Sequence, residues 1–289
     1  MIYVVLGSCS CASHDRWLAD PTLGPPEVAA RALSEIALDN PDTQAQIAEE
    51  GAISPLVAMV SSLSRVGADA SNSAISRALH TSNVAAGALA TLAKDNIVNQ
   101  VMITEEAGIP PLVDLLKHKT TAHRANAYES TTKALWHLAA TEDNQTVIAK
   151  AGGITPLVAL LASSDSDITQ QYAAAALQAL ARDHFDNQIA LAKAGAIAPL
   201  VDALGSDSSA TQEHAVGSLL YLASHDEESR NTVVKQVVTV LDQRNAAAQM
   251  KAAEALAILA ARSEENRKAI TAAKAIEPLV RIMLHAGAF

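Results

Sequence analysis

Cys9 and Cys11, one residue apart, with His14 close behind, are the densest set of reactive side chains in the sequence. Two thiolates and an imidazole could begin a zinc site, but a closed tetrahedral site takes four ligands and no second cysteine pair exists. The thiols are also too few and too close to form a secreted disulfide framework, so a reducing compartment suits them better. The remaining histidines, His80, His118, His123, His137, His184, His214, His225 and His285, make no His-Glu-x-x-His pairing and read mostly as surface residues. No phosphate loop, Gly-x-Gly-x-x-Gly or Gly-x-Ser-x-Gly signature occurs. No catalytic, metal or cofactor-binding residue is therefore predicted, no cofactor is expected, and the chain reads as a non-enzyme.

Composition narrows the partners. Lys and Arg number 21 against 31 Asp and Glu, a formal net charge of -10 and the wrong sign for tracking phosphates, so nucleic acid is not an expected ligand. No apolar run approaches the ~20 residues of a membrane-spanning helix. The opening Met-Ile-Tyr-Val-Val-Leu-Gly has no basic flank and is a poor secretory signal. The expected location is the cytoplasm, with the nucleus also open and membrane association the lesser alternative. Hydrophobic residues are 49% but aromatics only 3%, so Ala, Leu, Ile and Val must build the core, a composition suited to closely packed helices.

The elements that would position any site come from an internal repeat. Gly-Ala-Ile-Ser-Pro-Leu-Val at 51–57 returns as Ala-Gly-Ile-Pro-Pro-Leu-Val at 107–113, Gly-Gly-Ile-Thr-Pro-Leu-Val at 152–158, Gly-Ala-Ile-Ala-Pro-Leu-Val at 195–201 and Lys-Ala-Ile-Glu-Pro-Leu-Val at 274–280. A worn copy, Gln-Val-Val-Thr-Val-Leu at 236–241, fills the widest gap and sets a unit of roughly 42 residues. Each phrase follows a short amphipathic stretch such as Asn144, Gln145, Ile148 and Ala149, read as a first helix. The Gly of the phrase is expected to adopt the left-handed conformation that closes that helix, and the Pro to open the second. An alanine-rich third helix follows, for example Ala134-Leu135-Trp136-His137-Leu138-Ala139, whose Leu spacing makes one apolar stripe.

Three helices per unit, the Gly-x-Ile-x-Pro-Leu-Val corner and the Ala-Leu-x-x-Leu-Ala third helix resemble the armadillo-repeat family. HEAT units share the period but usually lack the Gly/Pro corner. The resemblance implies an all-α, right-handed superhelix over 26–289, after an irregular or flexible segment at 1–25. Partial units are expected at 26–40 and 265–289, with whole units at about 41–94, 97–141, 143–183, 186–225 and 228–262. Incomplete units at both ends suggest a fragment of a longer solenoid; the competing reading is an end face that meets a partner or a second copy, because solenoids need capped ends.

In armadillo proteins the third helices line a concave groove for extended peptides, which implies a scaffold or adaptor function here. The corresponding stripe is Glu27, Arg31 and Glu35, then Asn83, Gly87 and Thr91, then Glu129, Lys133 and His137. It continues with Gln171, Ala175 and Ala179, then Glu213, Gly217 and Tyr221, and finally Met250, Glu254 and Ile258. Importin-alpha-like members place Trp at the middle position and Asn at the last; here neither position holds them, and Trp17 and Trp136 lie elsewhere, which argues against nuclear-localisation-signal binding. Acidic residues outnumber basic ones along the stripe, so a partner segment, extended or helical, with modest basic character is expected.

Two further features bear on partners. Residues 61–82 insert Ser/Ala/Gly-rich sequence between second and third helices, expected as a surface loop. Gly7-Ser8-Cys9-Ser10-Cys11 resembles the lipidated start of vacuolar armadillo proteins, although glycine stands at position 7 rather than directly after Met, which leaves palmitoylation of Cys9 and Cys11. The alternative functions are thus a lipid-anchored vacuolar-type scaffold, or the substrate-recruiting region of a ubiquitin ligase whose catalytic domain lies outside this sequence.

Overall fold

The computed structural model describes residues 24–67, 69–118, 128–163, 166–243 and 245–286. Among them every regular element is helical. The chain enters on α1 (Pro25–Ala37). Three triplets follow: α2 (Pro41–Glu49), α3 (Ile53–Val60) and α4 (Asn72–Ala93); α5 (Ile97–Glu105), α6 (Ile109–Lys117) and α7 (Glu129–Leu138); α8 (Glu142–Lys150), α9 (Ile154–Ser163) and α10 (Asp167–Ala181). A fourth comprises α11 (Phe185–Lys193), α12 (Ile197–Asp202) and α13 (Ser209–His225). After them come α14 (Glu227–Val240), α15 (Ala246–Arg262), α16 (Glu264–Ala272) and α17 (Ile276–Ala286).

Third helices stack in sequence, α1 on α4, α4 on α7, α7 on α10 and α10 on α13. One continuous core runs from Ala30 to Ala275, because the helices of each unit pack both on one another and on those of the neighbouring unit. The third-helix leucines Leu89, Leu135, Leu177 and Leu219 are all completely buried. Alanines beside them, such as Ala85, Ala134, Ala176 and Ala215, let the backbones approach closely.

The corner between first and second helices turns the chain by 83° from α8 to α9 and by 90° from α11 to α12. Gly51, Gly152 and Gly195 adopt the left-handed conformation there, with φ of 82°, 80° and 74°. In two copies the expectation that glycine does so fails. Ala107 (φ 54°) and Lys274 (φ 62°) take that place. Gly108, one residue on, has an ordinary φ of -73°; its bare Cα serves a close approach, since a Cβ would stand 2.9 Å from the Ile103 carbonyl oxygen.

Two other expectations are corrected. The worn copy at 236–241 forms no corner: α14 runs unbroken over Glu227–Val240, because the stretch has neither glycine nor proline to interrupt it. The insertion at 61–82 is not simply a loop. It folds as a 3-10 turn at Leu63–Arg65 and then extends α4, which Ser71 caps by accepting the Ala74 N–H. Leu63, Ala78 and Leu79 bury with Leu115 in a small separate core.

Amide side chains join the units along the first helices. Asn99 donates through Nδ2 to the Leu92 carbonyl at 2.9 Å and to the Gln44 carbonyl at 3.0 Å, while Gln100 Nε2 donates to Ala93 O at 2.8 Å. Asn187 repeats this on Leu180 O and Gln145 O, Gln188 on Ala181 O, and Asn266 on Leu259 O. The last carbonyls of a helix have no intrahelical donor, and here the next unit supplies it. The Asn-Gln pair read in the sequence only as a helix marker is therefore a structural tie.

Candidate functional site

The third-helix stripe lies on one face, but its character changes along the stack. Between α1, α4 and α7 it is a depression of about 270 Å³ whose lining includes Arg31, Glu35, Asn83 and Gly87 of the stripe, together with Ser34, His80 and Ser130. Glu27 sits at its edge and accepts a hydrogen bond from Thr81 Oγ1 at 2.6 Å, which holds its carboxyl below the usual carboxylate range. Thr91 is buried and shares a 2.8 Å hydrogen bond with Ser34 across the α1–α4 seam. Gly87 leaves room for Ser130: a Cβ there would stand 3.4 Å from Ser130 Oγ.

Over α7, α10 and α13 the face carries an aromatic cluster. The Trp136 ring stacks on Tyr172 of α10 with centroids 5.6 Å apart and reaches His214 of α13 edge-on at 6.1 Å. On its own helix it stacks on His137 at 4.5 Å. Lys133 Nζ lies 5.9 Å from the Tyr172 ring centroid, within cation–π range. His214 Nδ1 donates to Gln178 Oε1 at 2.7 Å, which spans the α10–α13 seam. Ala175 and Ala179, the two α10 stripe positions, are 1% and 3% exposed, so bulkier neighbours form the surface there.

His137 is 9% exposed and its Nε2 has no hydrogen-bond partner in the protein. Burial, with the Lys133 charge adding to it, lowers its pKa to about 4, so the ring is neutral at pH 7. Burial likewise pushes the Tyr172 hydroxyl up. The histidines are thus less exposed than expected: of those described, His80 and His118 are exposed, whereas His137 is buried and His184, His214 and His225 are half-buried.

Toward the other end, Glu213, Met250 and Glu254 are exposed, and Gly217, Tyr221 and Ile258 are half-buried. Lys251 pairs with Glu254 at 3.0 Å. Glu129, Lys133 and Gln171 are half-buried between the two better-defined zones. Cys9, Cys11, His14, Trp17 and His123 lie outside the described residues. Among the described residues no three His, Cys, Asp or Glu side chains stand together as metal ligands, and no single helix is long and apolar enough to cross a membrane.

Sequence spacing alone passed over Trp136, Tyr172, Gln178 and His214. A signal was present: Trp136 follows Lys133 by three residues and Gln178 follows Ala175 by three, a step that keeps both on the stripe's own face. Matching only the Trp and Asn ladder positions hid it.

The repeat and the fold have relatives. The armadillo/beta-catenin-like repeat family matches residues 141–182 and 184–224, the two units that carry Tyr172 and His214. No curated protein matches the sequence. An engineered protein from the Northeast Structural Genomics Consortium is 28% identical with a TM-score of 0.68 over 91% of this chain, which spans 61% of that protein's length. A designed armadillo repeat protein is 26% identical (TM-score 0.61), with 80% of this chain and 92% of that one covered. Another, solved in complex with the peptide (KR)4, is 26% identical (TM-score 0.58) over 86% of this chain and 92% of its own. Corner phrase, helix order, matched repeats and structural neighbours agree: the chain carries armadillo repeats and folds as an all-α armadillo-type solenoid.

Proposed function

We propose that this chain is a non-catalytic scaffold or adaptor that binds peptide segments of other proteins along its concave third-helix face. The supporting observation is the pairing of an open polar depression at Arg31, Glu35 and Asn83 with the Trp136–Tyr172–His214 cluster on one continuous face. An extended peptide needs polar groups for its backbone and flat apolar surface for its side chains, and the two zones offer one each. Trp136 is only half-buried, so its ring has surface left for a ligand. The neutral imidazole of His137 adds an unpaired buried nitrogen beside it.

The preferred segment carries modest basic character. Glu27, Glu35, Glu129, Glu213 and Glu254 surround the face against Arg31 and Lys133, within a net charge of -10. That a designed armadillo repeat protein similar to this chain is in complex with the peptide (KR)4 supports this reading.

Fluorescence anisotropy with basic, neutral and acidic peptide pools tests the reading. Basic pools should bind best, and the joint reversals Glu129→Lys and Glu213→Lys should weaken them about tenfold while sparing neutral ones. A preference for acidic ligands would reject the charge assignment; undiminished binding by Trp136→Ala would move the site off this face.

A further inference from the structure

One seam between units is built differently from the others. The third residue of the first helix is asparagine in α5, α8, α11 and α16, and Asn99 and Asn187 donate across their seams to Gln44 O and Gln145 O. In α14 that residue is Ser229, too short to span the gap, and its Oγ turns back to Asp226 Oδ2 at 3.1 Å. Beside it, between α11 and α14, lies a cleft of about 340 Å³, at the lower end of the roughly 300–1,000 Å³ typical of ligand sites. No residue of the third-helix stripe lines it.

His225 forms one wall of the cleft. Two residues before their first helices, other units place Asp39, Asp95 and Asp183, which are exposed and left-handed with φ of 53°, 53° and 54°. His225 at the same place stays helical, and its ring is folded into the seam with only 6% of the side chain exposed. Its Nε2 donates to Asp226 Oδ2 at 2.9 Å. Nδ1 of the neutral ring is then a bare acceptor, buried and without a partner among the described residues. Such an atom is costly to bury unless a donor reaches it.

The other walls decide what that donor is. Ile189, Ala192 and Ile197 form an apolar floor. Asp226 and Glu228 add two carboxylates. The Ser229 N–H, 2.7 Å from Asp226 Oδ1, holds the Asp226 carboxyl below the usual carboxylate range, so it is ionised at pH 7. Phe185, 61% exposed, packs edge-on against the His225 ring with centroids 4.3 Å apart. Lys193 is the one cation of the lining, and it is exposed.

We propose that this cleft is a second binding site, which takes an arginine side chain of a partner protein. The arginine stem lies along Ile189, Ala192 and Ile197, and the planar guanidinium presents its N–H groups to His225 Nδ1, Asp226 and Glu228 with a flat face toward Phe185. A lysine ammonium, a point charge without a flat face, satisfies fewer of these groups. The site is separate from the concave face and stands whether or not peptides bind there.

An NMR titration of the 289-residue chain with the blocked tripeptide acetyl-Gly-Arg-Gly-amide, read at the His225 ring resonances, tests this. Those resonances should move and saturate. Tripeptides with lysine, or with citrulline as a neutral near-isostere, should bind at least tenfold more weakly. Free L-arginine should also bind more weakly, because Asp226 and Glu228 repel its carboxylate. Glu228→Lys, at an exposed position, should weaken binding at least tenfold and keep the parent's circular dichroism spectrum, while Trp136→Ala on the concave face should leave binding unchanged. His225 resonances that stay fixed overturn the proposal, and so does citrulline binding as well as arginine. Binding lost in Trp136→Ala and kept in Glu228→Lys would move the arginine to the concave face. Free arginine binding more tightly than the tripeptide would overturn the assignment to a protein partner.

Discussion

His214 Nδ1 donates to Gln178 Oε1 at 2.7 Å, and the bond exists because Gly217, one helical turn further along α13, has no side chain. A Cβ on Gly217 would collide with the Gln178 amide. A glycine inside a helix costs about 1 kcal/mol relative to alanine. Its place here is explained by the room it leaves for a side-chain tie between α10 and α13.

Gly217→Ala should therefore displace Gln178 and release His214. The helix gains about 1 kcal/mol and loses one hydrogen bond worth about the same, so stability should change by less than ~1 kcal/mol. The His214 ring resonances in an NMR titration should change markedly. Spectra identical to the parent's would mean that the amide was never confined by that glycine.

Burial holds His137 at about 4, below its ordinary 6.5. The unfolded chain then takes up a proton near pH 6.5 while the folded chain resists until about pH 4. Stability is full above pH 6.5, falls as pH drops through that window, and levels off below it, a loss on the order of 3 kcal/mol. His214, lowered chiefly by burial, acts in the same direction. Urea titrations between pH 7.5 and 4.5 should show a shallower decline in His137→Gln than in the parent; parallel curves would exclude the imidazole as the cause.

Ala107 and Lys274 hold a left-handed backbone that glycine adopts freely elsewhere in the repeat. Ala107→Gly should raise stability by about 1 kcal/mol, and Gly195→Ala should lower it by a similar amount. Ala107 is exposed, and nothing lies within 4 Å of the Cβ built on Gly195. Thermal unfolding of both variants measures the pair, and a destabilised Ala107→Gly would contradict the backbone argument.

Asn99 satisfies two carbonyls, Leu92 O in its own unit's predecessor helix and Gln44 O in the neighbouring first helix. Asn99→Ala leaves both without that donor in a buried place and should cost roughly 2–4 kcal/mol. Asn99→Asp should do no better, because an ionised carboxylate accepts and cannot donate. Equal stability for Asn99→Ala and the parent in urea melts would show that these carbonyls find other donors.

Sequence determined the fold because its signals are local and repeated. The Gly/Pro corner, the Leu spacing and the alanine flanks each act within one turn of helix, and copying them along the chain makes stacking unavoidable. It also determined which residues form the stripe, since Glu27, Arg31 and Glu35 must share a helical face whatever lies beside them. Where a local signal was missing, as in Val234-Lys235-Gln236 within α14, or inverted, as at Ala107-Gly108, the family pattern misled.

Tertiary structure alone decided which stripe positions reach the surface. Ala175 and Ala179 are covered and Trp136 crosses from α7 toward α13 because the distance between stacked helices, not the spacing along one, governs those contacts. The neutral His137 and the Gln178–His214 tie arise the same way, from units joined only when the chain is folded.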